Sequence, residues 1–176
     1  MMGWQPEVTE ITTGIVPTTQ HPSMEPARIL ARHIRELYDG GNWTAVSMKE
    51  VLSGVSRQEA LARQGDTHTI AELLHHIDYY ASAVMGVLQG GPLEAHDRFS
   101  FDLDLPVDEV EWREKVERAL QRGRHLADVV EGLDATALDG DFDDGKYGSC
   151  HRNILGLIEH THYHLGQMAI LRKLIP

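Results

Sequence analysis

Cysteine is almost missing from this chain: Cys150 is the single one, so no internal disulfide can brace the fold. Long apolar runs are missing too. Stretches such as Ala83-Val84-Met85 fall far short of the roughly 20 apolar residues that a helix needs to cross a bilayer. The first residues lack a basic segment followed by an apolar one. The expectation is a soluble, cytoplasmic protein with no membrane partner. Positive charge is scarce, with 16 Lys and Arg against 27 Asp and Glu, a net charge of −11 and a pI near 5.4. Polyanions are bound by clustered cations that release counterions, so no nucleic-acid partner is expected.

What the chain does have is apolar residues at helical spacing and 11 histidines. Its 176 residues, 41% hydrophobic and 24% charged, fit one ordinary globular domain with a real core. Residues 1–22 read as an N-terminal extension. Its Val8-to-Val16 part reads as a mobile tail, with a short edge strand or an arm on a neighbouring subunit as alternatives. Residues 23–176 read as the domain.

A first long helix is expected from Ser23, with Pro26 in its opening turn. Ile29, Leu30, Ile34 and Leu37 form its apolar face, and Asp39-Gly40-Gly41 stops it. His33 falls near that face and reads as a partly buried core histidine. Ser47-Met48-Lys49-Glu50 and Ser56-Arg57-Gln58-Glu59 are capping boxes, each opening a short helix inside a long crossover. Thr69-Ile70-Ala71-Glu72 is a third capping box. It opens a second long helix through Leu73, Leu74, Ile77, Ala81, Val84 and Leu88 to Gly90-Gly91-Pro92. At about 100° per residue, His76 lies at the edge of that apolar arc and His75 faces solvent.

A third long helix is expected after the N-cap Asp108, carrying Trp112, Val116, Ala119, Leu120, Leu126, Ala127 and Val130 to near Gly132. Gly123 inside it points to a close helix crossing or a weak spot. The acidic connector from Asp139 to Gly145 has alternating aspartates but fails the calcium-loop register. Its sixth position is Asp144 where Gly belongs and its twelfth is Cys150 where Glu belongs, so a solvated loop is expected. The last long helix runs from near Ser149 to Leu174, with Ile154, Leu157, Ile158, Thr161, Leu165 and Met168 inward. The fold class is all-α, a four-helix bundle with a long crossover between its first and second helices.

On the last helix His160 and His164 are four residues apart and so share a face, while His162 projects from the other flank. An H-x-x-x-H pair alone is weak evidence for a metal. His76, at the edge of another apolar face, supplies a third imidazole, and bundle metal sites are built from inward side chains of facing helices. Three neutral imidazoles leave an ion's charge uncompensated and a coordination position open, which suits Lewis-acid chemistry better than a closed structural site. Nickel and zinc both suit such ligands. Cys150, some ten residues before His160 and roughly 15 Å along a helix, is too far to join. His21, His68, His96, His125 and His151 lack partners at ligand spacing and read as surface residues. Glu72, Tyr80 and Gln167 stand one turn from a candidate ligand and are candidates for supporting or proton-handling roles. Their plainer readings are a capping carboxylate, a packed aromatic and a surface amide.

The segments Thr69-Ile70-Ala71-Glu72-Leu73-Leu74-His75-His76-Ile77 and His160-x-x-x-His164-x-Gly166-Gln167 resemble the two signature stretches of the DinB/YfiT-like superfamily, over residues 27–174. The resemblance implies a four-helix bundle with a crossover, a homodimer, and a nickel or zinc ion on His76, His160 and His164. Where this chain has His68, the family often has Trp. The family includes transferases and isomerases that use low-molecular-weight thiols, alongside members without a known reaction. The expected function is therefore a metal-dependent thiol S-transferase or hydrolase acting on a small molecule, the thiol being a cosubstrate. The alternatives are a non-catalytic metal-binding or stress-response bundle, and a plain helical dimer whose histidines only hydrogen-bond.

Overall fold

The computed structural model describes residues 25–175, all of whose regular elements are helices. Residues 1–24, with the Val8-to-Val16 segment, lie outside the described residues. Four helices are long: α1 (Pro26–Asp39), α4 (Ile70–Leu88), α5 (Glu109–Glu131) and α7 (Cys150–Leu174). They close a ring in which α1 packs on α5, α5 on α4, α4 on α7 and α7 on α1. A single core fills the ring, built from residues such as Ile34, Leu37, Leu73, Ile77, Trp112, Leu126, Ile154 and Leu165. No helix among the described residues is long and apolar enough to cross a membrane.

The short helices α2 (Met48–Leu52) and α3 (Arg57–Leu61) carry the chain from α1 to α4. Each begins with the expected capping box: Ser47 with Glu50, and Ser56 with Glu59. The crossover is pinned at its middle from two helices. Arg172 of α7 donates to the Glu50, Val51 and Ser53 carbonyls at the C-terminal end of α2. The buried Trp112 indole of α5 donates to the Val55 carbonyl at 2.8 Å. Thr69 and Glu72 cap α4 reciprocally, and Asp108 caps α5.

Gly123 is a close crossing. A Cβ there would fall 2.3 Å from Tyr38 Cδ1, so the Tyr38 ring of α1 lies directly on the α5 backbone.

Several sequence expectations need correction. Ile29 is 43% exposed, because the inward face of α1 turns through Ala27, Leu30, Ala31, Ile34 and Tyr38 instead. His33 shares the outward side and is exposed. His75 is half-buried, not solvated, and its Nε2 is covered without a hydrogen-bond partner. Two neighbours flank α4, and His75 faces Trp112 and Lys115 of α5 together with Leu103, so the covered arc is wider than a one-faced count gives. The acidic connector is more ordered than a solvated loop. The helix α6 (Ala135–Asp139), capped by Asp134, leads into it; its aspartates Asp141, Asp143 and Asp144 are exposed as in a solvated loop, but Phe142 is buried, and Asp141 and Ser149 form an isolated bridge.

Candidate metal centre

Two helices bring the histidines together. On α7 the spacing of four stacks His160 above His164, and α4 packs alongside with His76 at the facing edge. The Nε2 atoms of His76 and His160 are 3.0 Å apart, as are those of His164 and His160. One ligand atom from each of the three residues lies within 4.8 Å of the others. His76 and His164 are each 7% exposed. His162 and Cys150 do not join the cluster.

The protons of this cluster cannot be arranged comfortably. His164 Nδ1 meets Gln167 Oε1 at 2.7 Å, and since the amide oxygen only accepts, the proton sits on Nδ1 and the lone pair on Nε2. His160 Nε2 is common to both short contacts. One ring nitrogen makes one linear hydrogen bond, so no set of protons on three neutral rings satisfies both contacts well. His76 Nδ1 is buried without a partner. A cation at the point of convergence would relieve this frustration.

Burial sets the charge state. The imidazolium of His76 is disfavoured first by desolvation and then by repulsion from His160 and His164, pushing its pKa down to about 4. His160 is likewise pushed down to about 4, by desolvation and then by His164. His164 is lowered by desolvation, against which the Gln167 bond pulls upward. All three rings are neutral at pH 7, as a metal ligand must be.

The loop between α4 and α5 completes the site, which no periodicity or motif had indicated. Phe101 stacks on His76 with centroids 4.0 Å apart, and His68 stacks on the other face of Phe101 at 3.9 Å. His68 is thus a half-exposed end of a three-ring stack. Tyr80 packs edge-on against His76 and His160, and its hydroxyl donates to Asp97 at 2.5 Å. Burial and that bond push the Tyr80 phenol up to about 12. Gln167 also touches the cluster directly. Glu72 does not: its carboxylate is held by the Thr69 backbone N–H and by Arg63, with His68 Nδ1 at 3.4 Å.

His76, Tyr80 and His160 stand in the wall of a cavity of about 640 Å³, whose remaining lining includes Val84, Asp97, Phe101, Tyr147, Arg152 and Leu157. That is room for a small organic molecule beside His76 and His160. Sequence reasoning missed Arg152 and Gly156, although their i, i+4 register with His160 could have found them; for Asp97 and Phe101 there was no such signal. Set against family models, curated proteins and solved structures, the chain gives no significant match.

Proposed function

We propose that His76, His160 and His164 hold one divalent metal ion, nickel or zinc, and that the protein is a DinB/YfiT-like metalloenzyme. Its reaction would be transfer of a low-molecular-weight thiol to a small electrophile, or a hydrolysis at the same centre. The observation that carries this reading is the convergence of three imidazoles whose pKa values burial lowers, two of which, His76 and His160, stand in the wall of a cavity of about 640 Å³. Nitrogens that share an ion at bonds of about 2.0–2.1 Å lie roughly 3–3.4 Å apart, and the 3.0 Å separations here fit that donor set. The two signature-like stretches on α4 and α7, and the crossover built from α2 and α3, support the family reading. The homodimer implied by the resemblance belongs to the same proposal.

When bound, the ion supplies a Lewis acid that lowers the pKa of a thiol or water. The chain supplies the rest. Gln167 fixes the ring orientation of His164 by accepting its Nδ1–H. Phe101 covers one face of His76 and keeps water off it. Tyr80, protonated at neutral pH and packed edge-on against His76 and His160, gives its proton to Asp97, so its oxygen can accept a hydrogen bond from a substrate O–H or S–H.

The test is a rate comparison. Protein reconstituted with nickel or zinc is incubated with a panel of thiols and 1-chloro-2,4-dinitrobenzene, and product is followed for wild type and His164→Ala. A rate above background that falls at least tenfold in the variant is expected. Equal rates would discard catalysis and leave a metal-binding bundle without a reaction.

A further inference from the structure

Arg152, Gly156, His160 and His164 stand one turn apart on a single face of α7. The last two belong to the histidine cluster, and the first three line the large cavity. Gly156 sits in mid-helix, where glycine costs about 1 kcal/mol relative to alanine, and no left-handed backbone angle requires it there. What it provides is space. A Cβ at Gly156 would meet Arg152 Nη1 at 3.1 Å. Helical side chains lean toward the N-terminus, yet this guanidinium lies over the following turn, toward the histidines. A strip of bare helix, about 6 Å from Gly156 to His160 along the axis, therefore runs between a cation and the cluster.

Arg152 is the single Arg or Lys in the cavity lining, and its guanidinium makes no hydrogen bond among the described residues. Its one carboxylate neighbour, Glu159, is 3.8 Å away in an exposed pair. Such pairs contribute little and leave most of the five guanidinium donors free. Asp97, the carboxylate in the lining, is engaged by Tyr80 and repels a second anion. Val84, Phe101, Tyr147 and Leu157 make the remaining surface largely apolar.

We propose that Arg152 and Gly156 form a specificity subsite for a small molecule with a slender apolar body and one carboxylate end. The carboxylate pairs with Arg152, whose guanidinium lies over Gly156, the body runs from there along the apolar wall, and the far end reaches His76 and His160. Only the last clause rests on the proposed function; the subsite itself needs no metal.

The test therefore uses the full chain stripped of metal with a chelator, at pH 7.5. Binding of 3-phenylpropionate and of its neutral isostere 3-phenylpropionamide is measured by calorimetry for wild type, Arg152→Gln, Arg152→Lys and Gly156→Val. The carboxylate is expected to bind wild type at least tenfold tighter than the amide. Arg152→Gln abolishes that preference without weakening amide binding, and Arg152→Lys keeps part of it. Gly156→Val, its helical circular dichroism intact, loses both probes. Equal affinities in wild type, a preference that survives Arg152→Gln, or no binding of either probe each overturns the subsite. Metal content of the same variants after reconstitution is read separately, so loss of the subsite and loss of the metal centre are told apart.

Discussion

The amide oxygen of Gln167 holds the Nδ1–H of His164 at 2.7 Å and so presents the Nε2 lone pair to His160. Partners of this kind typically contribute 10- to 100-fold in metal affinity. Gln167→Leu is therefore expected to weaken nickel or zinc binding by about that factor in a chelator competition, with the helical signal unchanged. The depressed histidines make a second residue-scale prediction. With folded values of about 4 for His76 and His160 against an ordinary value of 6.5, the unfolded chain takes up protons first as pH falls. Their contribution to stability is full above about pH 6.5 and is lost as pH drops toward 4. The melting temperature of metal-free protein should fall across that window, and less so in His160→Gln. A profile flat from pH 7 to pH 4 would contradict the neutral, buried cluster.

At the scale of elements, the tightest crossing is that of α1 on α5. Gly123→Ala adds a Cβ that would sit 2.3 Å from the buried Tyr38 ring. The substitution gains about 1 kcal/mol of helix propensity, but overpacking costs typically 1–3 kcal/mol or more. Urea denaturation is expected to show a net loss of about 1–2 kcal/mol, and a more stable variant would show that the ring moves aside freely. The helices, short and long, were legible in the sequence because capping and periodicity are local: Ser47, Ser56, Thr69 and Asp108 cap the helices their patterns announce. His160 and His164 were legible for the same reason. Phe101 was not, since its place on His76 depends on how the loop from Leu93 folds back, which no period encodes. His75 and His33 were misplaced because a helical wheel gives the apolar face but not the number of neighbours that cover it.

Taken as a whole molecule, the site is a joint between two sides of the ring, with His76 on α4 and His160 and His164 on α7. An ion bridging these helices binds the folded chain and not the separated one. Free ion at about 100 times its dissociation constant stabilises by about 2.7 kcal/mol, or roughly 5–10 °C in melting temperature for a chain of this size. That gain should appear with nickel or zinc and vanish with excess chelator. The most direct test of the three-histidine centre is metal stoichiometry, by native mass spectrometry of reconstituted wild type and of His76→Ala, His160→Ala, His164→Ala, His68→Ala and His162→Ala. One ion per chain is expected in wild type and in the last two variants, and its loss in each of the first three. A wild-type chain that takes up no ion, or a His76→Ala chain that retains it with wild-type affinity, would contradict the three-histidine centre.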